Sequence, residues 1–141
     1  HHAFGAVIAI AVKITTEKKQ VLIEQIHVVV DAGFIVNPIQ ALSQIEGGVY
    51  FALGAALFGE ILIEKGCVKN RNFHDTPILP RYLAPPVTVT WLGQEGAPQG
   101  LGEVVVPVVS PALCNAIFAA TGQRVTRLPL SHHFTFKIGL T

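Results

Sequence analysis

The hydrophobic pattern divides this chain into strands, two helices and connections rich in glycine and proline. Ala6 to Ile14 is full of β-branched residues and apolar on both faces, which predicts a buried strand. The charge cluster Glu17-Lys18-Lys19-Gln20 predicts a hairpin tip, and Val21 to Val30 the antiparallel return strand, with Glu24 and Gln25 partly exposed. Asn37-Pro38 is a helix start: Asn offers an acceptor to the free N–H groups of the first turn, and Pro has no N–H to leave unpaired there. The helix is predicted from Pro38 to about Leu57, with Ile39, Leu42, Ile45, Val49, Leu53 and Ala56 as its buried stripe. Gly47, Gly48 and Gly54 weaken a helix interior, so each marks a place where a backbone or a ligand comes close.

Gly59 ends that helix. Glu60 to Glu64 alternates as a strand, Lys65-Gly66 turns, and Val68 to Phe73 pairs back or runs on. His74 to Pro86 contains Pro77, Pro80, Pro85 and Pro86 and is loop; Pro86 to Trp91 is a further strand, and Gly93 to Gly102 a long loop. Ser110-Pro111 repeats the cap-then-proline signature and predicts the second helix, with Leu113, Ile117 and Ala120 as its stripe and Gly122 as its C-cap. The tail after Arg127 is weakly β-like. The predicted class is α+β: antiparallel strands packed with two proline-initiated helices.

Composition changes this picture in one respect. Only 13% of the 141 residues are charged and mean hydropathy is +0.51, against about 25% charged in an average soluble domain. A domain this small has a large surface and here few charges to cover it. Its surface is therefore expected to be buried against other protein or a membrane. No uninterrupted apolar run reaches the ~20 residues of a spanning helix, and Val49 to Phe58 is short and interrupted by Gly54. The expectation is a single, incomplete domain within a larger assembly. A net charge of +1 gives no electrostatic case for nucleic acid. Cys67 and Cys114 lack zinc-ligand spacing, the six histidines form no site by spacing, and no secretory signal is visible in these residues.

Candidate chemistry lies in Gly100-Leu101-Gly102-Glu103, followed by the apolar run Val104 to Val109. A carboxylate at the edge of an apolar wall can serve as a general base, because desolvation raises its pKa toward working pH. A solvated turn residue is the plainer fate of such a Glu. Gln44-Ile45-Glu46-Gly47-Gly48 is the second candidate: a Gln amide offers both donor and acceptor, and adjacent glycines let a ligand sit against the helix.

Taken together, Val36-Asn37-Pro38, Gln44-Ile45-Glu46-Gly47-Gly48, Asn72-Phe73-His74-Asp75, Gly100-Leu101-Gly102-Glu103, Ser110-Pro111-Ala112-Leu113, Asn115 to Gly122 and Leu128-Pro129-Leu130 occur in an order and spacing that resembles one family. It is the large molybdenum-binding subunit of the xanthine dehydrogenase/aldehyde oxidase family, and within it the isoquinoline 1-oxidoreductase-type β subunits. The resemblance implies that residues 1–141 are the C-terminal portion of a molybdenum-cofactor-binding domain. It implies hydroxylation of an aldehyde or N-heteroaromatic small-molecule substrate with oxygen from water. The cofactor would be molybdenum-molybdopterin, commonly the cytosine dinucleotide form. Iron–sulfur clusters would lie on a partner chain, and a further polypeptide would carry the remaining molybdopterin-binding loops.

Residue by residue, Glu103 matches the catalytic glutamate, which takes a proton from the hydroxyl ligand of the molybdenum. Gln44 matches a glutamine that hydrogen-bonds the cofactor, and Gly102 lets the backbone approach it. No metal ligand is assigned to this chain. Family members commonly carry Pro-Gly after the glutamate, where Val104-Val105 stands here. That departure, with the missing cofactor loops, motivates an alternative: a non-catalytic assembly subunit, whose complex a charge on the first helix stripe, such as Val49→Asp, would break.

Overall fold

The structure is a computed structural model that describes residues 1–93 and 95–137. Its organising element is a long hairpin, β2 (Ala6–Glu17) and β3 (Gln20–Asp31), antiparallel from Val7↔Asp31 to Glu17↔Gln20. The short strand β1 (His2–Ala3) pairs with the start of β2 across Phe4 and Gly5, both at positive φ. Lys18 and Lys19 form the expected tip, with Lys18 also at positive φ. The hairpin register slips between Lys13 and Ile14, so Glu24 is the extra residue of a bulge. This explains why the buried set of β3 runs Val21, Ile23 and then Ile26, Val28, Val30. A step of three at one point keeps the same face inward.

The other side of β3 departs from the expected antiparallel scheme. β6 (Val87–Leu92) and β7 (Thr135–Lys137) both lie parallel to β3, so the sheet is mixed. Parallel neighbours need a crossover, and the whole stretch from α1 (Pro38–Phe58) to Pro86 supplies it between β3 and β6. The segment predicted as two strands, Glu60 to Phe73, keeps only a minimal hairpin, β4 (Ile63–Glu64) with β5 (Cys67–Val68), outside the main sheet. Residues 138–141 of the β-like tail lie outside the described residues.

Both helices cover one face of the sheet, α2 (Val106–Thr121) lying over β2 and α1 packing against α2. Strand β2 is therefore not buried on both faces as expected. Ala6 and Ile8 point into the core, while Val7 and Ala9 on the opposite face are exposed. Helix α1 begins as predicted, Asn37 Oδ1 accepting from the Gln40 N–H at 3.2 Å with Pro38 at the first position. Of its stripe, Ile45, Val49, Leu53 and Ala56 are buried, but Ile39 is 78% exposed. At 21 residues α1 is long and apolar enough, by length and composition, to cross a membrane, which no single run of the sequence suggested. Its inward residues are spent on the core of this domain.

Helix α2 starts four residues before Ser110, with Pro107 in its first turn and Pro111 inside it. Ser110 is thus not the N-cap. An interior proline removes a hydrogen bond and costs about 3 kcal/mol. Against that, Val105, Val109, Leu113 and Ile117 recur every four residues and are fully buried. Each buried side chain of this size contributes roughly 1.5–3 kcal/mol, so extending the helix backward wins. Ala120, expected in the stripe, is exposed. Gly122 caps the helix as predicted, at φ +72°, donating its N–H to the Phe118 carbonyl at 2.8 Å.

Candidate functional site

The loop after β6 is tied to the end of the sheet before it reaches α1. Its residue Gln99 donates its backbone N–H to the Ala32 carbonyl at 2.9 Å, and Gly100 to the Phe4 carbonyl at 3.1 Å. Gly33, at φ +64°, leaves room for the close approach of the Ala97 carbonyl that a Cβ would block. Gly100 is equally constrained: a Cβ there would lie 2.8 Å from that of Phe4. The sequence of Gly100-Leu101-Gly102-Glu103 is thereby laid down next to the N-terminal half of α1.

There the structure brings together all three residues singled out from the sequence. Gln44 donates a side-chain N–H to the Gly102 carbonyl at 3.2 Å, across 58 positions of chain. Glu103 follows at once, and its own carbonyl accepts from the Val106 N–H at 3.1 Å, closing a turn that runs into α2. One helical turn after Gln44, Gly48 faces the far side of the same turn. A Cβ on Gly48 would lie 2.5 Å from Val105 Cγ1. Val104 and Val105 are both fully buried. Val104 and Val105 thus anchor the turn that follows Glu103.

The apolar wall stands behind Glu103 and does not cover it: Glu103 is exposed, as are Gln44 and Gly102. Burial of a general base, as the sequence suggested, is not supplied by the described residues. Open space adjoins the cluster, since a Cβ on Gly47 or Gly102 would meet nothing within 4 Å. Gln44 and Glu46 serve different sides of α1, as residues two apart on a helix must. Glu46 acts on Tyr50, whose phenol is raised above its ordinary pKa by partial burial first and by the Glu46 carboxylate second. Tyr50 donates its O–H to the Pro85 carbonyl at 3.0 Å and so pins the proline-rich loop to α1.

Asn72-Phe73-His74-Asp75 forms a separate 3₁₀ turn. Asn72 Oδ1 accepts from the Phe73 N–H at 2.9 Å, and Asp75 Oδ2 from the Arg71 N–H at 3.1 Å. His74 Nε2 lies 3.1 Å from Asp75 Oδ1. Among the described residues no three His, Cys, Asp or Glu side chains converge as a metal site would require. The sequence marks Gly48 as a place where a ligand or a backbone comes close to the helix; what it meets is the Val105 side chain. Its pairing with Val105 could be sought in the coincidence of a small residue on α1 with a β-branched residue just after the glutamate, but only the fold brings them together.

An exposed carboxylate, an amide with one N–H and its oxygen still free, and open backbone beside them suit a polar cofactor laid against α1. Comparison with known proteins agrees. Residues 1–81 match the molybdopterin cofactor-binding domain; Gln44 lies in that span, whereas Gly102 and Glu103 lie beyond it. The chain is 31% identical over 108 residues to the isoquinoline 1-oxidoreductase subunit beta of Brevundimonas diminuta, covering 77% of this chain and 14% of that protein. It is 34% identical over 119 residues to the xanthine dehydrogenase molybdenum-binding subunit of Escherichia coli O157:H7, covering 79% of this chain and 16% of the relative. The fold superposes on quinoline 2-oxidoreductase from Pseudomonas putida 86 with a TM-score of 0.68 at 23% identity, over 78% of this chain and 15% of that one. The chain thus spans only a small part of the relatives it matches, and it belongs to the molybdopterin cofactor-binding domain family.

Proposed function

We propose that this chain is the C-terminal portion of a molybdenum-cofactor-binding domain and supplies the proton-accepting carboxylate, Glu103, of a molybdenum hydroxylase. The observation that carries the proposal is the Gln44–Gly102 hydrogen bond, which sets the candidate cofactor ligand beside the candidate base. The relatives' names give the substrate class: an aldehyde or an N-heteroaromatic small molecule. The cofactor is molybdenum-molybdopterin, in the cytosine dinucleotide form. Iron–sulfur clusters on a partner chain carry electrons away, and another polypeptide supplies the remaining molybdopterin-binding loops.

When bound, the molybdenum cofactor supplies the two-electron oxidation and the oxygen that originates in water. This chain's own groups accept the proton and help to hold the cofactor. Glu103 accepts a proton at a carboxylate oxygen from the oxygen nucleophile. Gln44 holds Gly102 with one N–H and offers its second N–H and Oε1 to polar atoms of the cofactor. Gly102, with no side chain and open space around it, allows the cofactor to reach the backbone. The covering polypeptide excludes the water that otherwise surrounds Glu103, which is exposed here.

Replacing Glu103 by Gln in the assembled enzyme keeps the shape and removes the base. Turnover is expected to fall by about 10²–10⁴-fold while molybdenum content stays at the level of the unmodified enzyme. Full turnover in Glu103→Gln would overturn the assignment and leave the chain as a non-catalytic assembly subunit.

A further inference from the structure

We propose that Gln44 and Gly48 form a two-point clamp that aims Glu103, so that both are positioning residues in addition to any contact Gln44 makes with the cofactor. The inference rests on the reading of Glu103 as the base. Its geometry is independent of that reading.

Gln44 and Gly48 are four apart on α1 and so lie one above the other on the same side of the helix. They engage the turn on either side of Glu103. Ahead of it, the Gln44 amide holds the Gly102 carbonyl at 3.2 Å. Behind it, Val105 presses into the notch left by Gly48, where a Cβ would lie 2.5 Å from its Cγ1. Real Cβ atoms do not approach that closely, so a side chain at position 48 must displace Val105, which is fully buried. Glu103 is thus a residue with an exposed side chain on a backbone held at the residue before it and again two residues after it. An exposed carboxylate gains no fixed direction from packing of its own. Here the direction comes from the backbone.

Catalysis is sensitive to such placement, and a shift of about 1 Å can cost on the order of 10²-fold in rate. The test is a second-site rescue. Gly48→Ala in the assembled enzyme is expected to lower kcat by about 10- to 100-fold with little change in KM or molybdenum content. On the full chain it should speed hydrogen exchange at the Val106 amide, the N–H that closes the turn on the Glu103 carbonyl. Adding Val105→Ala removes the colliding Cγ1 and should restore both kcat and slow exchange. Gln44→Glu exchanges the donor for an acceptor facing the Gly102 carbonyl and should speed the same exchange, an effect readable without cofactor. Unchanged exchange and kcat in Gly48→Ala would overturn the clamp, as would a loss that Val105→Ala fails to rescue. An active Glu103→Gln enzyme would instead remove the base while leaving the exchange prediction intact, so the two failures are distinguishable.

Discussion

Two regions of this molecule both carry large apolar side chains and give them opposite fates. In the body, made by the main sheet with α1 and α2, large side chains such as Ile26, Leu53, Leu113 and Ile117 are fully buried. In the arm between Gly59 and Tyr82, Phe73 is 93% exposed, Ile78 82% and Ile63 72%. The body has solved its own burial problem with two layers. The arm keeps its shape by local polar bonds instead: Asn70 Oδ1 accepts from the Leu62 N–H at 2.7 Å, and its Nδ2 donates to the Asp75 carbonyl at 2.6 Å. The difference teaches that charge alone does not hide apolar surface: seven of the arm's 24 residues are charged, yet its large apolar side chains stand exposed among them. Bare apolar side chains on a shaped arm are what a covering polypeptide would bury.

The largest effect should come from placing one charge in each region. Val49 is fully buried, so Val49→Asp leaves an unpaired carboxylate in the core and should cost about 3–5 kcal/mol. The sequence places Val49 in the buried stripe of α1, as found; the assembly alternative expects a charge there to break a complex, and its full burial in this chain makes it a folding residue first. Phe73→Asp should change the stability of the chain by no more than about 0.5 kcal/mol and weaken binding to the proposed partner chain. Denaturant unfolding and co-purification read the two quantities. Equal stability losses in both would erase the distinction between body and arm.

How much of this was legible beforehand follows the same division. The hairpin, the Asn37-Pro38 start and the Gly122 cap were readable because each depends on a few neighbouring residues and their backbone preferences. The start of α2 was not, because Ser110-Pro111 mimics a local cap while the deciding term, burial of Val105 and Val109, is tertiary. The parallel pairing of β6 and β7 with β3 was invisible for the same reason. The bulge left a trace in the step from Ile23 to Ile26, which breaks strict alternation. At the site, Gln44, Gly102 and Glu103 were marked by residue type and motif, and they meet in space. What the sequence did not carry was exposure: an apolar run after Glu103 buries its own side chains and leaves the carboxylate outside.

Two adjacent glycines sharpen the comparison within α1. Gly48→Ala meets Val105 and should destabilise by about 1–3 kcal/mol. Gly47 has nothing within 4 Å of a built Cβ, so Gly47→Ala removes a helix-interior glycine without a clash and should stabilise by about 0.5–1 kcal/mol. Thermal unfolding of the two variants should therefore shift in opposite directions. Matching shifts would mean that the turn carrying Val105 does not press on α1.

The smallest effect concerns the two thiols, one in each region. Cys67 of the arm is exposed and Cys114 of α2 is half-buried. Burial raises the Cys114 pKa above that of a free thiol, and Arg124 offsets this only in part. Thiolate is the reactive form, so at pH 8 less of Cys114 is reactive, and its labelling rate should go on rising with pH above the ordinary thiol range. A thiol-specific reagent should modify Cys67 first. Faster labelling of Cys114 at pH 8 would show that α2 is more open than the structure has it.

The central claim is that the bare side of this chain belongs against a polypeptide that completes a molybdenum site around Glu103. Native mass with molybdenum analysis on gently purified material tests it most directly. The expected result is a complex larger than one chain, with a molybdenum atom for each copy. A lone, metal-free chain that stays soluble and unfolds cooperatively would contradict it.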